Sequence, residues 1–192
     1  LIVAPAVYGN LQGQYGGTSP LGIQYKTLDS ADSPSATIQG TVYGKPATDT
    51  FADSTHPIFN WCVNSTTGPN GGGGIAGFTD WYIPAKDELA VLYFFRKPST
   101  ATNDPTSGSN PSSVDPYTPN TNYGPNFPAQ TTSSSFQFGS PDALSTLSSY
   151  WCASEASGST GSAWRQSFVD GNQGGSNKTS FLYARAVRRI AA

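Results

Sequence analysis

Charge is what this chain has least of. Only 11% of its 192 residues are Asp, Glu, Lys or Arg, against roughly 25% in an average globular protein. The formal net charge is −2. The nearest approach to a basic cluster, Arg185, Arg188 and Arg189, is divided by strand alternation, with Arg188 on the face opposite the other two. A nucleic-acid partner needs a basic patch or stripe, so none is expected. No run approaches the ~20 apolar residues that span a bilayer, so membrane insertion is not expected either. His56 is the only histidine, which excludes a multi-His metal site, and no cofactor is expected. Two cysteines, Cys62 and Cys152, are too few for a disulfide-stapled scaffold. Paired, they would tie an early helix to a late strand; unpaired, they are small buried hydrophobes.

In place of charge the chain carries Gly (21), Pro (15) and 12% aromatics. Disorder goes with high net charge and few aromatics, so this composition predicts an ordered, loop-rich single domain over 1–192. The start, Leu1-Ile2-Val3-Ala4-Pro5, is too short for a signal-peptide core. It reads as a strand entered partway, so the chain is expected to be the C-terminal piece of a longer one. Short β-favouring runs at 1–4, 24–27 and 38–43 are separated by turn residues. His56-Pro57 opens a helix over 57–64, with Pro57 at the first helical position and Ile58, Trp61 and Cys62 as its apolar stripe. A Gly-rich turn follows at 68–74. An extended run ends at Pro84, and a helix is predicted over 85–96. Asp87 and Glu88 in its first turn and Arg96 and Lys97 at its end complement the helix dipole. Residues 98–135 are an aperiodic Ser/Thr/Asn/Pro tract anchored by Tyr117, Tyr123 and Phe127, and a loop that long is functional or disordered. Ala143, Leu144 and Leu147 predict a helical turn before the last strands.

The last third brackets a polar segment between two strand-like ends, Tyr150-Trp151-Cys152-Ala153-Ser154-Glu155 and Tyr183-Ala184-Arg185-Ala186-Val187-Arg188. Ser, Gly, Asn and Gln dominate between them, with Trp164, Phe168 and Phe181 interspersed. Recognition surfaces use this palette: aromatics for rigid contact area, small polar residues for adaptable hydrogen bonds.

Two motifs carry a family likeness. Gly77-Phe78-Thr79-Asp80-Trp81-Tyr82-Ile83-Pro84 feeds Ala85-Lys86-Asp87-Glu88-Leu89. Downstream, Tyr150-Trp151-Cys152-Ala153-Ser154-Glu155 precedes Ala163-Trp164, Phe168 and Val187-Arg188. In this order they resemble the C-type-lectin-like domain at the C-termini of bacterial collagen-like adhesins and phage tail-fibre proteins. The resemblance implies an α+β, C-type-lectin-like fold: a twisted antiparallel sheet, two helices and long loops. It implies a receptor-binding module at the tip of a phage tail fibre, extracellular on the virion, or alternatively on a bacterial cell surface. Its partner would be a bacterial surface glycan or outer-membrane protein, and it would act as a homotrimer assembled through upstream regions. Ala85 stands where the family often has the Ser of a capping box. The calcium-chelating sugar motifs of C-type lectins are absent, so calcium is not carried over.

For catalysis, His56 beside Pro57 reads as a helix cap rather than as a member of a triad. Asp87 and Glu88 are adjacent and diverge on a helix. Glycan hydrolysis needs two carboxyls ~5–10 Å apart in a cleft, and few acidic residues fall in such places, so the chain is not expected to be an enzyme. A structural virion domain without a ligand is the other alternative. Trp81 and Trp151 are expected in the core. Strand alternation puts Trp164, Gln166 and Phe168 on one face and Arg165 and Ser167 on the other, and the resemblance makes Trp164 and Phe168 core residues. The expected ligand-binding residues are Glu155, Arg165, Ser167, Asn172, Gln173, Asn177, Lys178 and Phe181, with specificity written in 154–182 more than in 98–135. Glu155 either anchors the following loop through backbone hydrogen bonds or faces a ligand. Asn64-Ser65-Thr66 and Asn177-Lys178-Thr179 match the N-glycosylation acceptor, which matters only in a eukaryotic secretory setting.

Overall fold

The chain's two ends are zipped together by hydrogen bonds. In the computed structural model, described over residues 1–4, 10–11, 23–26, 43–64, 75–110, 121–156, 159 and 161–189, three short strands lead: β1 (Ile2–Val3), β2 (Asn10–Leu11) and β3 (Ile23–Gln24). Helices α1 (Lys45–Thr50), α2 (Pro57–Asn64) and α3 (Lys86–Arg96) follow. The last third supplies β4 (Ser149–Glu155), β5 (Ser162–Ser167), β6 (Gln173–Asn177), β7 (Phe181–Leu182), β8 (Ala184–Arg185) and β9 (Val187–Arg188). The run 181–188 pairs antiparallel with the leading strands in reverse order: β7 with β3, β8 with β2, β9 with β1. Tyr150 and Tyr183 form a parallel bridge that joins this seam to the antiparallel sheet β4-β5-β6. The architecture is α+β.

Alternation along two of these segments builds two cores. Trp151 and Ala153 of β4 and Ala184 and Ala186 of the seam face one cluster, with Tyr25, Ile58, Phe59, Trp81 and Ile83. Tyr150, Cys152, Tyr183 and Val187 face the other, with Leu89, Leu92, Tyr93, Tyr123 and Phe168. Successive strand residues point to opposite faces, so the sheet separates helices α1 and α2 from α3. Both cores hold T-shaped aromatic pairs, such as Tyr25 on Trp151 at 5.7 Å and Tyr150 on Phe168 at 5.3 Å. Such pairs are worth ~1 kcal/mol beyond their buried area. Trp81 and Trp151 are core residues, as their strands predict. Cys62 and Cys152 are free and buried, and burial pushes both thiols well above their usual range.

Helix α3 matches its sequence signals. Glu88 does more than favour a helix dipole. Its carboxylate, fully buried, accepts from the N–H groups of Ala85 (3.0 Å) and Gly44 (2.9 Å), the Tyr82 hydroxyl (2.7 Å) and Arg189 (2.8 Å). Ala85 has no side-chain acceptor to complete a capping box, and the Ser154 hydroxyl takes the Lys86 N–H instead (3.1 Å). Helix α2 starts on the carbonyl of His56, whose Nδ1 lies 3.0 Å from Asp53 Oδ1. Its buried face is Ile58, Phe59 and Cys62, with Trp61 half-buried.

Three expectations are corrected. Helix α1, which has no apolar stripe, adds a third helix to the two expected. No helical turn forms at 143–147: the Ser145 N–H bonds the Tyr150 hydroxyl (2.8 Å) and Leu147 is 84% exposed. A 3₁₀ turn sits at Ser134–Phe136 instead. The strand expected over 24–27 occupies Ile23–Gln24, and Tyr43 lies in no strand. Residues 38–42, the 68–74 turn and Tyr117 lie outside the described residues.

Candidate recognition cleft

The 98–135 tract is tied to the body by buried side chains. Tyr123, 5% exposed, lies 5.1 Å from the Tyr93 ring and accepts a hydrogen bond from Gln166 Nε2 (3.2 Å). Asn103 accepts from the Tyr93 hydroxyl (2.6 Å) and donates to the carbonyls of Gly124 and Pro128. The buried Lys97 ammonium donates to the carbonyls of Ala101 and Pro128, and burial lowers its pKa. Gly108 has φ +96° and a Cβ there would fall 2.4 Å from the Tyr123 ring. Only glycine fits both the backbone conformation and that contact.

Pinned in this way, the tract forms one wall of a cleft of about 150 Å³. Its wall residues are Thr106, Ser107, Gly108, Ser109 and Asn122; Lys86 comes from the start of α3, and Trp164 and Gln173 come from β5 and β6. The Gln173 N–H donates to Ser107 Oγ (3.0 Å), bonding the tract to the sheet. The Lys86 ammonium lies 5.2 Å from the Trp164 ring centroid and 3.4 Å from Asp87 Oδ1. Beneath the rim, Asp104 accepts from the Thr106 N–H and hydroxyl, from Ser107 and from Asn172 Nδ2 (2.5 Å). Those bonds, the one from Asn172 foremost, lower its carboxyl to about 2. Asn172 Oδ1 in turn accepts from Arg165 Nη1 (2.7 Å).

The eight predicted residues therefore divide. Gln173 lines the cleft. Arg165 and Ser167 are on β5 and Asn172 is in the turn before β6, where the Ser167 N–H donates to the Asn172 carbonyl (2.9 Å). Asn177 is exposed and caps the turn after β6 through Thr179. Phe181 is 43% exposed on β7. Glu155 and Lys178 are not outward contacts: they are buried against each other as an ion pair, with the ammonium 5.9 Å from the Tyr25 ring centroid. The register of β4 on β5 shifts between Trp151 and Glu155, which turns Glu155 inward, while the Lys178 carbonyl is held by the N–H groups of Tyr25 and Lys26.

Lys86, Ser107, Ser109 and Asn122 were missed. Asp104-Pro105-Thr106 carries a local signal, since Asp before a turn bonds the backbone two residues on; nothing local says the turn docks on β6. Trp164 is half-buried in the cleft rather than fully in the core. The seam arginines form no patch: Arg185 is buried near Asp142, Arg188 pairs with Asp80 (2.8 Å) against the Phe78 ring, and Arg189 with Glu88. Burial brings the Arg185 guanidinium down to about 10. A second groove of about 180 Å³ is lined by Leu1, Val3, Val91, Leu92, Phe95 and Arg96.

Among the described residues no group of three or more His, Cys, Asp or Glu could hold a metal ion. Likewise no helix there is long and apolar enough to cross a membrane. No curated protein and no solved structure matches the chain significantly. The Lcl C-terminal domain model matches residues 40–188, more than three quarters of the sequence, and the chain belongs to that family, whose domains end fibre-like phage and bacterial proteins.

Proposed function

We propose that this fibre- or adhesin-like domain is a receptor-binding module that attaches its carrier, a phage tail fibre or a bacterial surface protein, to a bacterial surface glycan or protein. The observation that carries the reading is the cleft at Trp164. A half-buried indole is surrounded by hydroxyl and amide side chains, and the wall opposite is fixed by Tyr123, Asn103 and the Gln173–Ser107 bond. Sites held by packed elements and supporting hydrogen bonds keep their geometry without ordering cost on binding. A C-type-lectin-like topology suits a domain whose first and last strands are paired, and trimerisation through upstream regions would add avidity to a weak single contact.

Adsorption of the purified 192-residue chain to bacterial cells, read by flow cytometry, tests the reading. Binding lost on cells stripped of surface glycans, or of one outer-membrane protein, supports recognition and names the receptor class. Failure to adsorb to any host panel, with the fold intact by circular dichroism, overturns it. Release of reducing sugar from the cells would replace it with a hydrolase.

A further inference from the structure

We propose that the cleft takes one uncharged, hydroxyl-rich ring, a neutral pyranose unit, seated against Trp164. This rests on the recognition reading above and narrows it. Size is the first argument: a cleft of about 150 Å³ suits a group the size of one sugar ring and not a folded peptide epitope. Surface chemistry is the second. Trp164 supplies the aromatic surface of the lining, and an indole's electron-rich face attracts the weakly positive C–H face of a pyranose. Around it Ser109 and Asn122 make no side-chain hydrogen bond to the described residues. Gln173 Nε2 makes only long ones, 3.4 Å to the Lys86 carbonyl and 3.3 Å to Gln166. These groups are placed to exchange hydrogen bonds with ring hydroxyls.

Charge is the third. The cation in the lining, Lys86, is already engaged by the Trp164 ring and by Asp87, which is itself buried. An anionic sugar would have to compete with Asp87 while facing the ionised Asp104 behind Ser107. A cationic one would face Lys86. Displacing either arrangement leaves a buried charge less well paired, which is unfavourable. A neutral ligand leaves the Lys86–Asp87 contact in place even where it shares the Trp164 ring with the ammonium.

The test uses the full chain, with methyl glycosides of glucose, galactose, mannose and N-acetylglucosamine as neutral probes and glucuronate as the anionic one. Binding is read by saturation-transfer NMR and by cell adsorption. At least one neutral glycoside should bind, with less than about twofold change between low and high salt, because uncharged contacts are not screened. Ser109→Trp, which fills the cleft, should weaken binding at least about tenfold, and the milder Asn122→Ala about threefold. Leu147→Ser, on an exposed site, should leave it unchanged. Binding of glucuronate alone with steep salt dependence would overturn the neutral assignment while leaving recognition standing. So would cell adsorption that survives both cleft variants. No binding to cells or glycosides would remove both readings together.

Discussion

Lys178 and Glu155 show how a polar surface sequence can hide a buried charge. Each is held inside the fold by the other, and the ammonium also faces the Tyr25 ring. Removing one member of a buried pair strands the remaining charge, at a cost of about 3–5 kcal/mol, whereas replacing both by neutral groups is often close to neutral. Lys178→Met should therefore lower the urea midpoint sharply, and Lys178→Met with Glu155→Gln should recover most of the loss. A double variant as unstable as the single one would show that the pair is not the cause. Gly44 gives a second residue-scale test. A Cβ there would lie 1.9 Å from the Ile83 carbonyl oxygen, part of rigid backbone, and the Gly44 N–H serves Glu88. Gly44→Ala should destabilise by about 3 kcal/mol, at the upper end of overpacking, with a corresponding fall in melting temperature.

At the scale of elements, the turn at Asp104 is the cleft wall's attachment to the β5–β6 turn. Its carboxyl sits near 2 in the fold, against an ordinary 3.8. A depressed carboxyl contributes stability that is fully present above its unfolded value and is lost as pH falls through the folded one. Local protection of the Thr106 and Ser107 amides in the turn built on this carboxylate should thus decline between about pH 4 and about pH 2, measured by hydrogen exchange, and Asp104→Asn should flatten that decline. Asp53, near 2 because bonds from His56 and Thr55 outweigh its burial, titrates in the same window. The readout must therefore be local to the cleft wall. Helix α3 was legible because its apolar period, its acidic first turn and the following Pro98 agree with one another. Helix α1 was not: its sequence is KPATDT, and it is held by Thr48, which caps back to the Gly44 carbonyl and accepts the Ile83 N–H. Alternation on β5 correctly separated Trp164 and Gln166 from Arg165 and Ser167, but it assigned binding to the Arg165 face, and of the eight expected residues Gln173 lines the cleft. The opposite wall comes from a tract without period, placed by Tyr123 and Asn103 through contacts distant in sequence.

Across the whole molecule, the most consequential contacts join regions that the family match treats differently. The match begins at residue 40, yet Tyr25, fully buried, packs on Phe59 at 5.2 Å and on Trp151, and its hydroxyl bonds the Ala153 carbonyl at 2.7 Å. Strands β1 to β3 also cover the outer edge of the seam 181–188, which would otherwise present unpaired backbone groups. Truncating a buried aromatic typically costs about 3–5 kcal/mol, a large share of the ~5–15 kcal/mol that holds a domain folded. Tyr25→Ala should therefore lower the melting temperature of the full chain strongly. Tyr25→Phe should lose only the hydroxyl's bond, about 1 kcal/mol. A chain cut to 40–192 should lose the seam's protection in hydrogen exchange and aggregate through the exposed edge. If that fragment melts like the full chain, the leading strands are dispensable and the matched region is a self-sufficient domain.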